Sequence, residues 1–248
     1  MRLLYLLLAL LLATPVLAQS SDAPARAFLL KGTRNPRQLG GLPVKGGVFA
    51  DAKVYRSGAL CFASREDASK LQATGLHTIV ELRLPSEIAK DGPDKEYLTS
   101  GVAQNLHWPM GNSRGLGKEA YISYMQDNGP LFARFFQLLA MPDSYPLLFH
   151  CSAGKDRTGI LTALLLDFLG TPREIIYDDY LHSKRITPKL RVEREWLDAV
   201  FVIVDEAGGI EAYLRAQGVS PQVFQSVRQN LIVGPSPEAP AAQPASTP

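Results

Sequence analysis

The sequence predicts a single-domain α/β fold with a central, mostly parallel sheet flanked by helices and a helical C-terminal part. Three observations support this prediction. Strand-like and helix-like segments alternate along residues 53–170. The apolar run YPLLFH at residues 145–150 is followed by a short polar loop and then by an apolar helical segment. After Pro172 the chain has a mostly helical pattern.

The strands and the first helix can be assigned in chain order. KVYRSG at residues 53–58 and HTIVELRL at residues 77–84 are typical of short strands. Between them, SRED at residues 64–67 is typical of a helix start, because Ser can cap the backbone amides that follow it. YPLLFH then predicts a fully buried strand that ends at His150.

Two longer helices are predicted on either side of that strand. Apolar side chains at helical spacing predict a core helix over residues 129–140. They are Leu131, Phe132, Phe135, Phe136 and Leu139. The segment TGILTALLLDFLG predicts a second helix over residues 158–170, which Gly170 ends, with Pro172 beyond it.

Composition and charge exclude several classes of protein. The 248 residues, 46% of them hydrophobic, are enough for a domain with a proper core. The 26 basic and 24 acidic side chains give a formal net charge of +2. Such a chain has no general surface for polyanions, so we expect no nucleic-acid partner.

The N-terminus has the pattern of a secretory signal peptide over residues 1–18. Arg2 precedes an apolar run at residues 3–12, and a small residue closes the segment before Gln19. The alternative is a membrane anchor, but the run is shorter than the ~20 apolar residues that span a bilayer. We therefore expect an exported protein, periplasmic or secreted, with no integral membrane segment in the mature chain.

The mature chain is predicted to be one domain followed by a tail. Residues 234–248 are rich in Pro, Ala and Ser and lack apolar periodicity, which is typical of a disordered segment. Residues 22–233 form the predicted domain, without a repeat or a second linker. Cys61 and Cys151 can pair when oxidised, but we expect Cys61 to be a small buried side chain. Their spacing is not that of zinc ligands, so we expect no metal.

The segment FHCSAGKDRTG at residues 149–159 joins the predicted strand to the predicted helix. The carboxyl end of such a strand is where open α/β sheets bind their ligands. Ala153 and Gly154 permit a tight turn that points successive backbone N–H groups inward, as an anion-binding nest. The helix that begins near Thr158 adds the positive end of its dipole. The loop is therefore expected to bind a phosphate group.

The side chains of this loop suit phosphate chemistry. Arg157 offers a planar fork of donors to two phosphate oxygens, and Lys155 adds a point charge. The same positive field favours Cys151 as a thiolate, which is an in-line nucleophile towards a bound phosphate. A nucleotide-binding Walker loop is excluded, since Phe149 and Asp156 stand where it requires Gly and Ser or Thr. A buried, inert Cys151 is the remaining structural alternative.

The loop resembles the HCxxxxxR(S/T) signature of the protein tyrosine phosphatase superfamily, the cysteine-dependent phosphatases. More narrowly, residues 150–159 are similar to the HCxxGKDRTG loop of secreted bacterial tyrosine phosphatases that also act on phosphoinositides. Four further segments resemble landmarks of that branch in the same order. They are RNPRQLGGL at residues 34–42, VYRSGAL at 54–60, IVELR at 79–83 and IIYDDYLHS at 175–183. The resemblance covers most of the mature domain and implies the fold of the superfamily.

The resemblance also implies a role for each residue of the loop. Cys151 would attack phosphorus and form a phosphocysteine, and Arg157 would bind the equatorial oxygens together with the loop amides. The residues implied in substrate binding are Ser152, Ala153, Gly154, Lys155, Thr158 and Gly159. Thr158 would also stabilise the thiolate, and His150 would support the loop. No metal and no cofactor are implied.

The general acid is expected within the loop. Many members of the superfamily place an aspartate in a Trp-Pro-Asp segment, but this chain has Met110 there, which cannot donate a proton. The narrower resemblance implies that the aspartate between Lys and Arg takes the role, so Asp156 is the third expected catalytic residue. Asp127 and Asp143 lie in or beside a predicted helix with no motif around them. The alternative role for Asp156 is to orient Arg157.

The expected partners are phosphorylated molecules. The resemblance implies a phosphorylated protein or a phosphoinositide as substrate, and the second would involve transient contact with a membrane surface. The charge of Lys155 also suits highly phosphorylated rings, so an inositol polyphosphate phosphatase is one alternative. A non-catalytic phosphate-binding module is another, although binding alone does not require a nucleophile.

Other segments leave two interpretations open. Glu81 and Arg83 can line the pocket or form a structural ion pair. The cations of residues 184–194 can rim the site or belong to a solvated helix face. Four apolar residues at helical spacing can form core or a lid; they are Leu197, Val200, Phe201 and Val204. Gln38 stands where the family has Asp, which argues against an ionic role at that position.

Overall fold

The computed structural model of this chain describes residues 30–234. The predicted signal peptide at residues 1–18 and all but the first residue of the predicted tail at residues 234–248 lie outside the described residues. Within them, a central, mostly parallel sheet is flanked by helices, which confirms the predicted α/β class.

The strands of residues 30–234 form two sheets. In chain order they are β1 (Arg37–Gln38), β2 (Pro43–Val44), β3 (Gly47–Phe49), β4 (Val54–Ser57), β5 (Thr78–Glu81), β6 (Gln104–His107), β7 (Leu147–His150) and β8 (Ile232–Val233). The central sheet has the order β1-β4-β7-β5-β6, in which only β1 is antiparallel to its neighbour. The small antiparallel sheet has the order β2-β3-β8.

Strand β7 lies in the middle of the central sheet. Its register pairs His150 with Ser57 of β4 on one side and with Glu81 of β5 on the other. All four residues of β7 are buried, which explains their continuous apolar pattern. Because parallel strands end at the same edge, the loop after His150 leaves the sheet where β4 and β5 also end.

The helices of residues 30–234 cover both faces of the central sheet. They are α1 (Arg65–Ala73), α2 (Pro85–Asp91), α3 (Glu96–Thr99), α4 (Lys118–Asp127), α5 (Gly129–Leu139), α6 (Asp156–Phe168), α7 (Arg173–Ile186), α8 (Arg194–Glu206), α9 (Ile210–Ala216) and α10 (Pro221–Leu231). Among these residues, none of the helices has both the length and the apolar character needed to cross a bilayer.

Two apolar clusters form the core, one on each face of the sheet. Leu148 belongs to the smaller cluster, whereas its neighbours Leu147 and Phe149 belong to the larger one. This division follows from the alternation of side chains along a strand. In the larger cluster the rings of Phe135 and Phe149 lie 5.1 Å apart in an edge arrangement, so α5 packs directly on β7.

The helix after the loop begins earlier than the sequence predicts. The apolar pattern predicts a start at Thr158, but α6 begins at Asp156, so the loop between strand and helix has five residues, 151–155, instead of seven. The first turn of a helix has backbone amides without internal acceptors and a positive dipole end, which suit an acidic residue such as Asp156. The apolar periodicity therefore starts two residues, about half a turn, after the helix does.

The C-terminal helices belong to the core. The four residues for which a lid was one interpretation are at most 2% exposed; they are Leu197, Val200, Phe201 and Val204. All four lie in the larger apolar cluster. The lid interpretation of these side chains is therefore wrong, because residues buried in the core are not free to open and close.

Candidate active site

The loop after β7 curls tightly against the end of β4. Gly154 has a φ of +66°, a backbone angle that residues other than glycine rarely adopt. A Cβ at this position would lie 2.5 Å from the carbonyl carbon of Ser57. Both the backbone conformation and the close approach of β4 therefore require a glycine in the middle of the loop.

The backbone of the loop is oriented by residues outside it. The carbonyl oxygen of Gly154 accepts hydrogen bonds from Nδ2 of Asn35 at 2.6 Å and from Nη2 of Arg56 at 2.8 Å. The amides of Ser152, Ala153 and Gly154 donate to no other residue within residues 30–234. Such amides beside a helix N-terminus are the donors that bind phosphate groups in proteins. The loop can therefore bind an oxyanion through its backbone.

The thiol of Cys151 lies at the base of this loop and is only 2% exposed. Burial by itself raises the pKa of the thiol. The positive charge of Arg157 and hydrogen bonds from Thr158 lower it by more, so the pKa of Cys151 lies below its ordinary value. Cys151 is therefore more nucleophilic at neutral pH than an ordinary thiol, because more of it is thiolate.

Arg157 is held by a carboxylate from another helix. Its Nη1 and Nη2 donate to Oε2 and Oε1 of Glu87 at 2.5 and 2.7 Å. Oγ of Ser152 also donates to Oε1 of Glu87, at 2.5 Å. The Nε atom of Arg157 is buried and has no hydrogen-bond partner among the described residues. Glu87 therefore fixes the plane of the guanidinium, while one buried donor remains for a ligand.

Glu87 is a site residue that the sequence patterns do not reveal. It lies in the first turn of α2, where its carboxylate also accepts a hydrogen bond from the Leu84 amide at 2.8 Å. Burial raises its pKa, but hydrogen bonds from Arg157 and Ser152 outweigh burial and lower the pKa of Glu87 to about 2. A carboxylate that stays ionised at neutral pH is not a proton donor. Glu87 therefore orients Arg157, which was the alternative role considered for Asp156.

Asp156 is the first residue of α6 and faces other partners. Its Oδ1 accepts a hydrogen bond from the hydroxyl of Tyr121 at 2.7 Å, and Nζ of Lys155 lies 3.3 Å from the same oxygen. Its side chain is 24% exposed. A carboxyl group that is fixed through one oxygen and partly open to solvent can exchange a proton through the other.

The other acid candidates lie apart from the loop or cannot donate. The carboxylate of Asp127 accepts a hydrogen bond from Ser123 at 2.6 Å, within its own helix α4. Asp143 lies in a short turn that precedes β7, at the end of this strand opposite to Cys151. Met110 is fully buried in the larger apolar cluster. Of these positions, only Asp156 adjoins the loop, as the first residue of α6.

Lys155 is covered by the segment between α7 and α8. Its Nζ donates to the carbonyl oxygen of Arg191 at 2.7 Å and lies 5.0 Å from the centre of the Trp196 ring. The residue is 9% exposed. The ammonium group is therefore held at the edge of the loop by backbone and aromatic contacts. It approaches the same oxygen of Asp156 that accepts the hydrogen bond from Tyr121.

A buried ion cluster supports the loop from behind. The carboxylate of Asp179 on α7 binds Nε of Arg37 and Nη1 of Arg56, each at 3.0 Å, and all three side chains are at most 2% exposed. Arg56 and Asn35 are the two residues that hold the Gly154 carbonyl. Arg37, the neighbour of Gln38, thus has an ionic partner that lies 142 residues away.

We expect Asp179→Ala to destabilise the domain by about 3–5 kcal/mol, because it leaves two buried arginines without their counter-ion. The matched control is Asp205→Ala. Asp205 also binds an arginine, Arg173, at 2.6 Å, but its side chain is 56% exposed, so the loss is expected to be about 1 kcal/mol or less. Urea unfolding of both variants measures the difference. Equal unfolding midpoints would contradict a structural role of the buried cluster.

A second charged cluster lies beneath His150. Nε2 of His150 lies 2.8 Å from Oδ2 of Asp94, and burial lowers its pKa less than Asp94 raises it, so the pKa of His150 is higher than usual. Arg83 binds both Glu81 and Asp94. Glu81 and Arg83 therefore form a structural ion pair. His150 supports the loop from a fully buried position.

The same cluster contains the residue types of a metal site, but a buried arginine already neutralises its carboxylates. Glu81, Asp94 and His150 offer ligand atoms within 4.8 Å of one another. The guanidinium of Arg83, fully buried, already binds both carboxylates. A divalent cation would therefore have to displace a buried cation, which makes these residues an ion network rather than a metal centre.

The second cysteine lies next to this cluster. Cys61 is 4% exposed, and its Sγ lies 3.4 Å from Nη1 of Arg83. Both Cys61 and Cys151 are free thiols in the structure. Cys61 is therefore a small buried side chain, as the sequence predicts.

Comparisons with known proteins identify relatives of this chain. The sequence profile of the tyrosine phosphatase family matches residues 28–233. A Cupriavidus necator protein provisionally named a tyrosine-protein phosphatase is 29% identical over 226 residues, covering 73% of this chain and 80% of that protein. The triple specificity protein phosphatase PtpB of Mycobacterium tuberculosis is 24% identical over 252 residues, covering 73% of this chain and 91% of PtpB.

One solved structure extends the comparison. The crystal structure of P. aeruginosa TpbA is 17% identical, with a TM-score of 0.44, and the alignment covers 79% of this chain and 98% of TpbA. The family profile is the decisive match, since it includes β7, the whole loop and every helix from α1 to α10. By this match the chain belongs to the tyrosine phosphatase family.

Proposed function

We propose that this protein is an exported, cysteine-dependent phosphatase that hydrolyses phosphate monoesters through a phosphocysteine intermediate. The observation that supports this most directly is the pairing of a buried thiol of lowered pKa with unpartnered donors around it. Those donors are the loop amides and Nε of Arg157. Export rests on the pattern of residues 1–18.

In the first step the thiolate of Cys151 attacks the phosphorus of a bound monoester in line with the leaving group. The sulfur–phosphorus bond forms while the bond from phosphorus to the leaving oxygen breaks. The electron pair of the broken bond stays on that oxygen, which takes a proton from Asp156. Arg157 and the loop amides stabilise the charge on the three equatorial oxygens.

In the second step a water molecule attacks the phosphocysteine. Asp156, now a carboxylate, takes a proton from that water as the new phosphorus–oxygen bond forms. The sulfur–phosphorus bond breaks, and its electron pair returns to Cys151 as a thiolate, which Thr158 and Arg157 stabilise. The products are inorganic phosphate and the dephosphorylated alcohol or phenol, and the enzyme is restored without a metal or cofactor.

We further propose phosphotyrosine and phosphoinositides as the substrate classes. The name of the relative PtpB, a triple specificity protein phosphatase, supports more than one substrate class. Lys155 adds a cation at the edge of the loop, which favours substrates with more than one phosphate. Surface cations of residues 184–194 contribute less, since Arg185, Arg191 and Arg194 already bind acidic side chains. An inositol polyphosphate is the alternative of the same chemistry.

The proposal is tested by trapping the intermediate. We expect a rapid acid quench during turnover of a radiolabelled aryl phosphate to leave phosphate on the peptide that contains Cys151, and vanadate to prevent the labelling. Turnover without labelled protein would contradict the phosphocysteine. Absence of turnover by the reduced protein, combined with retained phosphate binding, would support the non-catalytic binding module instead.

The substrate classes need a separate comparison. Relative kcat/KM on phosphotyrosine peptides, phosphoserine peptides, vesicles that contain phosphoinositides and free inositol phosphates distinguishes them. Preference for vesicles over free inositol phosphates would assign a lipid substrate, and preference for the phosphotyrosine peptide a protein substrate.

A further inference from the structure

Two buried tyrosines form a hydrogen-bond chain that ends on Asp156. The hydroxyls of Tyr180 and Tyr121 lie 2.6 Å apart, and Tyr121 donates to Oδ1 of Asp156 at 2.7 Å. Because the only hydroxyl proton of Tyr121 points to the carboxylate, Tyr180 is the donor in the first bond. Tyr121 and Tyr180 are 1% and 2% exposed, so no solvent competes for these bonds.

The three residues of this hydrogen-bond chain lie on three different helices, and a glycine of the loop motif leaves the space for one of them. Tyr121 lies on α4, Tyr180 on α7, and Asp156 begins α6. A Cβ at Gly159 would lie 3.2 Å from Cδ2 and 3.3 Å from Cε2 of Tyr180. A side chain at position 159 would therefore push the Tyr180 ring away. Gly159 therefore leaves space for Tyr180, which binds Asp156 through Tyr121.

The polar contacts of Asp156 all involve one oxygen. Tyr121 and Lys155 both approach Oδ1, at 2.7 and 3.3 Å. Within residues 30–234, no side chain or backbone group forms a hydrogen bond or ion pair with Oδ2. The carboxyl group is therefore held in one orientation, and Oδ2 is the oxygen that is free to give or take a proton.

Both tyrosines remain protonated donors at physiological pH. Burial, and then the negative charge of Asp156, raise the pKa of Tyr121 well above its usual value. Burial also raises the pKa of Tyr180. The bond from Tyr121 to Oδ1 therefore persists whichever protonation state Asp156 has.

We infer that Tyr121, supported by Tyr180, is a positioning residue for proton transfer, which holds Oδ1 of Asp156 so that Oδ2 faces the scissile oxygen of the substrate. This inference rests on the proposed function, in which Asp156 is the proton donor. Tyr121 lies on α4, outside the loop and outside every segment that resembles the family's landmarks.

The role of Tyr121 follows the two steps of the reaction. When the phosphorus–oxygen bond breaks, Oδ2 gives its proton to the leaving oxygen, and Asp156 becomes a carboxylate. A hydrogen bond to an ionised acceptor is stronger than one to a neutral acid, so the bond from Tyr121 stabilises the charge that develops. When water attacks, Oδ2 takes a proton from it while the electron pair of the sulfur–phosphorus bond returns to Cys151. Tyr121 keeps its own proton in both steps.

The test uses aryl phosphates of graded leaving-group ability. Tyr121→Phe removes the hydroxyl but keeps the ring, which packs edge-on against Tyr124 and Tyr180. We expect kcat for phenyl phosphate to fall about 10-fold and kcat for dinitrophenyl phosphate to change little, because a good leaving group departs without a proton. KM and inhibition by vanadate are expected to stay unchanged, since no contact to phosphate is lost.

The matched control is Tyr213→Phe. The hydroxyl of Tyr213, which is 5% exposed, donates to the carbonyl of Met125 on α4 at 3.0 Å. This variant also removes a buried hydroxyl bound to the helix that bears Tyr121. We expect a loss of thermal stability similar to that of Tyr121→Phe, but the dependence of kcat on the leaving group should remain that of the wild type.

Asp156→Asn and the double variant separate the inference from the function on which it rests. Asp156→Asn is expected to lower kcat with poor leaving groups by about 10²–10⁴-fold. Tyr121→Phe should add no further loss in that background, because the two residues act as one unit. If Asp156→Asn has this effect and Tyr121→Phe behaves like Tyr213→Phe, the positioning role is wrong and the proposed function stands.

The opposite result is equally informative. If the fall in kcat caused by Asp156→Asn is the same for good and poor leaving groups, Asp156 is not the proton donor. The inference about Tyr121 then fails with it. If the wild type hydrolyses none of the aryl phosphates, both the proposed function and this inference are overturned.

Discussion

Cys151→Ser is expected to lower kcat for any phosphate monoester by about 10⁶-fold, the order of magnitude for removing a nucleophile from an assembled site. The physical reason is that serine at this position stays protonated, whereas the field of Arg157 and the hydrogen bonds from Thr158 lower the pKa of the Cys151 thiol. The oxyanion donors are unchanged, so binding of tungstate is expected to remain close to that of the wild type. Steady-state kinetics and calorimetry measure the two quantities.

The matched control is Cys61→Ser, since both thiols are buried and free. Cys61 lies beside Arg83, and burial raises its pKa more than Arg83 lowers it. We expect full kcat for this variant. Substantial turnover by Cys151→Ser, or loss of turnover only in Cys61→Ser, would assign the nucleophile to another residue.

Arg157→Lys is expected to lower kcat/KM by about 10³-fold, because a flexible ammonium group cannot replace a planar guanidinium that holds a donor in a fixed position towards the developing charge. In the structure both Nη atoms are held by Glu87 and Nε is the buried donor without a partner. A lysine has no planar group that Glu87 could hold in one orientation. The variant is therefore expected to bind tungstate weakly as well.

The same variant has an expected effect on the thiol. The charge of Arg157 is the largest influence that lowers the pKa of Cys151, so Arg157→Lys, which moves that charge, should raise it towards the ~8.5 of an ordinary thiol. The acidic limb of the kcat/KM profile should then shift to higher pH. The ultraviolet absorbance of the thiolate, with Cys151→Ser as the blank, measures the change directly.

The control for a simple loss of arginine is Arg134→Lys. The guanidinium of the exposed Arg134 lies 4.3 Å from the centre of the Trp108 ring. We expect unchanged kcat/KM in this variant. An unshifted thiol pKa in Arg157→Lys would show that another group, and not this guanidinium, keeps Cys151 ionised.

The structure shows which contacts are made by the segments that resemble the family's landmarks. Asn35 and Arg56, from two of these segments, hold the carbonyl of Gly154. Asp179 and Tyr180, from a third, supply the buried counter-ion and the support for Asp156. The sequence shows that these segments occur in a given order. It does not show that they meet at one loop, because the contacts join residues 59–142 positions apart.

Secondary structure was predictable where the local pattern is strong. The core helix over residues 129–140 and the buried strand that ends at His150 are found almost as predicted, as α5 and β7. The start of α6 was missed by about half a turn, because its first two residues, Asp156 and Arg157, are polar. The two interpretations of Leu197 and its neighbours depended on what packs against α8, which no local pattern contains.

The sequence by itself determined the class of fold and singled out the loop of the proposed nucleophile, because the loop is a contiguous stretch whose chemistry depends on neighbours within a few residues of Cys151. Only the tertiary structure decided which distant groups govern that loop. Glu87 orients Arg157, Tyr121 fixes Asp156, and Asp179 neutralises the arginines behind it. Each of these is an interaction between side chains on different elements, and its energy depends on burial and on distance in space, neither of which is encoded in local spacing.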